Sequence, residues 1–223
     1  MAVMRSVFYI PANSDKMISK APVTPADIIT LDLEDSVPPA EKPKAREMIR
    51  ENLKIAGSGG SLVYVRVNNW FTPWTDDDIE ASVHEGLAGI CLPKCAGPDH
   101  IKRLEWKIEE LERRRGLPVG SVAIQVLAET AIGVINAYHS AVASKRVNSI
   151  IFGAVDYCKD MRVKLTLEGE EQWYARAHVA VAARAAGCIA IDCPFVAYQD
   201  IALFEKTTSF GHQLGYEGRM LIH

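Results

Sequence analysis

The sequence predicts an α/β fold, a closed (β/α)8 barrel, on three observations. Eight short apolar runs alternate with stretches of helical character, which implies a parallel sheet. Nearly every run closes on a polar or charged residue, the closing positions being Pro11, Glu34, Asn68, Lys94, Glu129, Asp156, Asp192 and His223. The length, 223 residues, suits one barrel, and barrels carry their chemistry at the carboxyl ends of their strands. One domain over residues 1–223 is expected, with the closing residues gathered at one mouth.

Each element has a local signal. Strand 1 is read over Ser6–Pro11, followed by a short helix over Ser14–Lys20. Strand 2 is Ile28–Glu34. A helix over Pro38–Ala56 presents Ala45, Met48, Ile49 and Leu53 on one face. Strand 3, Leu62–Asn68, alternates and is rich in valine. Thr75 is read as the cap of a helix whose first turn, Asp76–Asp78, complements the helix dipole. Strand 4 is Gly89–Lys94, and an amphipathic helix spans Pro98–Arg115 with cations in its last turn. Strand 5 is Ala123–Glu129, with a helix over about residues 131–144 after it. Strand 6 is Ser149–Asp156. An alanine-rich helix over Gly169–Ala186 ends at Gly187. Strand 7 is Cys188–Phe195, followed by a helix near Asp200–Leu214, and strand 8 is Arg219–His223. The eighth helix of a complete barrel is absent from this chain. Either the sequence ends early or a neighbouring subunit covers that face, so an oligomer is expected.

Composition narrows the function classes. The net charge is −3 and no basic face is interleaved with aromatics, so nucleic acid is not an expected partner. No apolar run approaches the roughly 20 residues that span a bilayer, and Met1–Pro11 lacks a signal-peptide pattern. A soluble cytoplasmic protein is expected. The five cysteines fall in or just after strands and read as buried apolar residues rather than a zinc set.

Glu129 and Asp156 close neighbouring strands, so two carboxylates should meet at the mouth. They need a compensating cation, either Mg²⁺, which takes few protein oxygens, or an Arg or Lys. Arg66 lies between Val65 and Val67 and so faces the opposite side of its strand. Inside a barrel it needs an anion, either a substrate carboxylate or Glu34 or Asp35. Glu34 is read as supporting the metal or the arginine, and Asp32 as a loop anchor. Lys16 and Lys20, four apart on the predicted helix, could take phosphates or form a solvated face. Tyr9 is placed near the same rim, and Lys94 is a further inward candidate. Dinucleotide fingerprints, phosphate loops, nucleophile elbows and zinc helices are absent from the sequence.

The strand ends form an ordered set: Arg5-Ser6…Tyr9-Ile-Pro11, Leu31-Asp-Leu-Glu-Asp35, Val65-Arg-Val-Asn68, Leu92-Pro-Lys94, Glu129-Thr-Ala-Ile-Gly133, Phe152-Gly-Ala-Val-Asp156-Tyr and Gly218-Arg-Met-Leu-Ile-His223. This set resembles the citrate lyase β-subunit-like (HpcH/HpaI aldolase) family, with malyl-CoA and citramalyl-CoA lyase relatives. The resemblance implies a TIM barrel of the phosphoenolpyruvate-binding type and a Mg²⁺-dependent carbon–carbon lyase acting on a CoA thioester to release a 2-oxo acid. It implies Glu129 and Asp156 as metal ligands and Arg66 as the residue that grips the keto acid; Arg66, with Glu34 from the strand reading, is the expected catalytic pair. It places Tyr9, Lys16 and Lys20 where CoA enters, Ile222 and His223 against the ligand, and favours a homotrimer. Ala12 stands where relatives often have glycine. Two alternatives remain: an aldolase acting on free 2-oxo acids, and a non-catalytic binding subunit.

Overall fold

The computed structural model describes residues 3–223. Eight parallel strands close a barrel in chain order: β1 (Ser6–Pro11), β2 (Ile28–Asp32), β3 (Leu62–Arg66), β4 (Leu87–Leu92), β5 (Ala123–Ala128), β6 (Val147–Phe152), β7 (Ile189–Asp192) and β8 (Gly218–Leu221). The helices are α1 (Asp15–Ile18), α2 (Lys42–Gly57), α3 (Thr75–Ser82), α4 (Pro98–Arg115), α5 (Ala131–Ile135), α6 (Ala137–Val142), α7 (Ala154–Asp160), α8 (Trp173–Ala186) and α9 (Ile201–Gln213).

Strand alternation divides the core in two. Val7, Ile28, Tyr64, Cys91, Leu127, Ile151, Ile191 and Met220, one from each strand, form an inner cluster. The alternate residues, among them Val63, Val65, Ile90, Val126 and Ile150, form an outer core with helix residues such as Ile49, Leu53, Ile101, Leu104 and Ile108. Period two in the strands and period 3.6 in the helices meet in that outer layer. β1 and α4 begin and end where the sequence predicts.

Several predicted boundaries need correction. Most strands stop short of their charged closing residues, which stand on the loops that follow. The apolar run read as strand 6 ends at Phe152, because Gly153 turns the chain into α7. Asp156 is therefore in the first turn of a helix rather than on a strand. The helix after β1 ends at Ile18, and a 3-10 turn with Pro22 in its first turn follows over Ala21–Val23. Proline cannot donate to a continuing helix, so Lys16 and Lys20 do not share a helical face. The stretch read as one helix over residues 131–144 breaks at Asn136, whose amide donates to the Ala96 carbonyl at 2.8 Å. Thr75 begins α3 instead of capping it and donates its hydroxyl to the Asn69 carbonyl.

All five cysteines are buried and free. Among the described residues, no helix is long and apolar enough to cross a membrane. α6 packs on α8, and Ile132, Ile135, Tyr138, Val142, Trp173, Tyr174 and Val181 of α5, α6 and α8 remain exposed.

Candidate active site

The mouth of the barrel collects five carboxylates and two cations. Arg66, the last residue of β3, points inward as the flanking valines require and is buried. Its Nε donates to Asp32 Oδ1 at 2.6 Å and its Nη2 to Asp32 Oδ2 at 2.7 Å. Of the expected internal partners, Glu34 does pair with Arg66, but the closer, two-pronged partner is Asp32. The two residues stand opposite each other in the β2–β3 register, and a planar fork matches a carboxylate facing it directly. Glu34 Oε2 lies 3.3 Å from Nη1. Burial alone would raise the Asp32 carboxyl, but the Arg66 charge and its hydrogen bonds outweigh that and hold it below the usual range.

Asp32 also anchors a loop, as expected. It accepts from the backbone N–H of Glu34 at 2.9 Å and of Ser36 at 3.1 Å, which fixes the turn that carries Glu34 and Asp35. Lys42, buried at the start of α2, donates to the Leu33 and Glu34 carbonyls at 2.7 and 2.8 Å. Asn69 donates to Glu34 Oε1 at 3.3 Å. The buried Asp78 accepts from Asn68 and so steadies the loop after β3. The sequence marks Asp32 only as a loop anchor and gives no sign that Lys42, Asn69 and Asp78 support the site. Strand parity narrows the inward partners of Arg66 to Asp32 and Glu34, and the β2–β3 register puts Asp32 opposite it.

Lys94 lies in the middle. Its ammonium is 2.7 Å from Glu34 Oε1, 3.2 Å from Asp156 Oδ2, 3.7 Å from Glu129 Oε1 and 3.9 Å from Asp35 Oδ2. Its backbone N–H donates to Glu129 Oε1 at 3.0 Å. Glu129 and Asp156 therefore do meet, with Lys94 as their nearest cation. Burial, then the Glu34 charge, push the Glu129 carboxyl up to about 8 against the opposing pull of Lys94 and Arg66. The folded value lies above the usual 4.5. The folded protein thus keeps this proton where the unfolded chain has lost it, and stability falls as pH rises from about 4.5 to about 8. A melting-temperature profile over that window should flatten in Glu129→Gln. An equally steep profile in the variant would assign the slope to another group.

Two motif glycines are explained by close approach. A Cβ at Gly153 would lie 2.5 Å from Glu129 Cβ and 2.7 Å from its Oε2, and one at Gly133 would lie 2.7 Å from the Cys95 carbonyl oxygen. Gly153→Ala should cost about 1–3 kcal/mol through overpacking, measured by chemical denaturation. A variant as stable as the parent would mean that Glu129 can move aside freely.

The remaining candidates are more dispersed. Tyr9 is not at the rim: it is buried within the barrel, its hydroxyl 3.4 Å from Cys91 Sγ and its ring centroid 5.1 Å from the Arg66 guanidinium carbon. It supports the arginine from below. Lys16 and Lys20 are exposed and make no ion pair among the described residues. Ile222 and His223 line a separate cavity of about 180 Å³ with Phe195, Tyr198 and Phe204, where His223 stacks on Tyr198 at 4.1 Å. A cavity of about 370 Å³ opens beside the carboxylates, lined by Glu34, Asp35, Lys42, Asn68, Asn69 and Lys94 among others.

The donor chemistry fits a divalent cation. Asp32, Glu34, Asp35, Glu129 and Asp156 outnumber Arg66 and Lys94, and the buried Glu34 Oε2 has no hydrogen-bond partner. Among the described residues no three His, Cys, Asp or Glu side chains form a metal-holding group. A site here would rest on two carboxylates, with the remaining oxygens from water and substrate, as Mg²⁺ accepts.

The fold recurs in known proteins. Residues 5–223 match the HpcH/HpaI aldolase/citrate lyase family. The citrate lyase subunit beta of Leuconostoc mesenteroides subsp. cremoris is 38% identical over 219 residues, covering 98% of this chain and 72% of that protein. The L-malyl-CoA/beta-methylmalyl-CoA lyase of Cereibacter sphaeroides is 28% identical over 239 residues, covering 98% and 75%. The citrate lyase beta subunit of M. tuberculosis, solved with oxaloacetate and magnesium, superposes with a TM-score of 0.81 at 23% identity, covering 100% and 92%. The chain belongs to the HpcH/HpaI aldolase/citrate lyase family, a family of lyases that includes CoA-ester lyases.

Proposed function

We propose that the protein is a Mg²⁺-dependent carbon–carbon lyase that cleaves a 3-hydroxyacyl-CoA of the citryl-, malyl- or citramalyl-CoA type to acetyl-CoA and a 2-oxo acid. The observation that carries this reading is the anionic excess around one fixed guanidinium, Arg66, at the mouth of the barrel. One relative is by name a malyl-CoA lyase, another a citrate lyase subunit, and one solved relative holds oxaloacetate with magnesium.

Glu129 and Asp156 would hold the metal, whose Lewis acidity favours ionisation of the substrate hydroxyl. Arg66 spends its Nε–Nη2 edge on Asp32, which leaves the second Nη2 hydrogen and Nη1, whose neighbour at 3.3 Å is Glu34 Oε2, to meet the substrate. Those donors stabilise charge on the half that becomes the oxo acid. Glu34 Oε2, buried, without a hydrogen bond and 3.3 Å from Arg66 Nη1, takes the hydroxyl proton. The C2–C3 bond then breaks, C3 becomes the carbonyl carbon of the 2-oxo acid, and the electron pair of the broken bond stays on C2 as the acetyl-CoA enolate, which takes up a proton from water or a protonated carboxyl to give acetyl-CoA. Lys16 of α1 and Lys20, just beyond that helix, are both exposed and would meet the CoA phosphates. Ile222 and His223, which line the separate cavity beyond the end of β8, would contact a part of the ligand that extends there.

Residues 1–223 act as one catalytic domain. The five free thiols suit the cytoplasm. The exposed apolar residues of α5, α6 and α8 suit association with further copies, a trimer by family resemblance.

The test is to incubate the protein with citryl-, malyl- and citramalyl-CoA, with and without Mg²⁺, and to follow acetyl-CoA and oxo acid. Cleavage of one thioester that needs Mg²⁺ is expected, and no cleavage of any would overturn the reading. Lys16→Ala should weaken binding of the thioester and leave affinity for the free oxo acid unchanged. Equal losses for both would remove Lys16 from the CoA end.

A further inference from the structure

We propose that Lys94 is a resident counter-cation for the metal site, an ammonium that stands among the carboxylates and gives way when a divalent ion binds. The proposal rests on the assignment of Glu129 and Asp156 as Mg²⁺ ligands.

The geometry is specific. One residue contacts Glu129 from both ends, through its backbone N–H at 3.0 Å and its ammonium at 3.7 Å. The same ammonium is 3.2 Å from Asp156 and 2.7 Å from Glu34. The backbone at Lys94 is left-handed, with φ +49°. That region is uncommon for a side chain without special tolerance of it and persists where the surroundings enforce it. Here it occurs at the residue whose N–H meets Glu129.

An ammonium within hydrogen-bond reach of Asp156 and close to Glu129 lies where a metal held by both would be. Two such cations repel strongly at that separation. Lysine can retreat, since its charge rides on a flexible four-carbon stem. Asp35, 60% exposed and 3.9 Å away, and Glu34 offer the ammonium a place on the cavity side. Lys94 thus neutralises the carboxylates when no metal is bound and competes with the metal that replaces it. A residue needed merely to shape the site would do the first and not the second.

The test is calorimetric titration of Mg²⁺ without substrate into the parent, Lys94→Met and Lys94→Arg at fixed ionic strength. Lys94→Met should bind Mg²⁺ at least about tenfold more tightly than the parent, given the charge removed, and Lys94→Arg should stay close to the parent. Mg²⁺ should also raise the melting temperature of Lys94→Met by more than that of the parent. Equal or weaker binding in Lys94→Met, with a parent that binds, would overturn the proposal and leave the metal assignment standing. Silence in both proteins would overturn the metal assignment and this proposal with it. Should Lys94→Met be unfolded without metal, recovery of its circular dichroism on adding Mg²⁺ would support the proposal, and failure to recover at saturating Mg²⁺ would contradict it.

Discussion

Arg66→Ala is expected to cost about 3–5 kcal/mol of stability, because it leaves the Asp32 carboxylate buried without its partner. Asp32 is almost fully buried, and its two strongest hydrogen bonds come from Arg66. Chemical denaturation reads this directly. Arg66→Lys separates charge from shape. It keeps a cation near Asp32 and Glu34 but cannot offer the planar fork together with a second donor edge. Its turnover should fall about 10²–10³-fold, the usual cost of losing a fixed donor to developing charge, with a smaller loss of stability than in the alanine variant. Arg66→Lys turning over like the parent would make the guanidinium a structural group alone.

Asp156→Ala should behave in the opposite way, with the fold retained and the Mg²⁺-dependent turnover lost. The Asp156 side chain is 21% exposed, and its ion-pair partner is Lys94. Its removal leaves no buried charge without a partner, so the change in stability should stay within about 1 kcal/mol, as for partly exposed ion pairs. Turnover should drop to the level of the parent stripped of metal, and Mg²⁺ should no longer shift the melting temperature. Full Mg²⁺-dependent activity in Asp156→Ala would take the residue out of the metal site.

What could be read in the sequence is what depends on local signals. α4 is legible because Pro98 opens it, Gly116 closes it, and Ile101, Leu104 and Ile108 recur on one face. The inward direction of Arg66 follows from Val65 and Val67 alone. The meeting of Glu34, Lys94, Glu129 and Asp156 follows from barrel closure, which gathers strand ends whatever their exact register.

The rest depends on geometry between elements. The partner of Arg66 is Asp32 because β2 and β3 pair with those two residues opposite each other, and a strand pattern does not state its register. Tyr9 was placed at the rim because it is near the end of β1. Its inward face puts it under Arg66 instead. Asp156 was read on a strand because Gly153-Ala-Val continues an apolar run, whereas α7 buries Ala154, Tyr157 and Cys158 at helical spacing. The central position of Lys94 rests on a left-handed backbone at a residue that gives no sign of it in the sequence.

The most direct measurement is isothermal titration of the protein with acetyl-CoA, then with oxaloacetate, pyruvate and glyoxylate, each with and without Mg²⁺. A CoA-thioester lyase of this design should bind acetyl-CoA, and should bind one oxo acid only when Mg²⁺ is present, the responsive acid naming the half-substrate. Oxo-acid binding without any response to acetyl-CoA would contradict the thioester assignment in favour of a free-acid aldolase, and silence toward every ligand would leave a barrel that binds partners without catalysis.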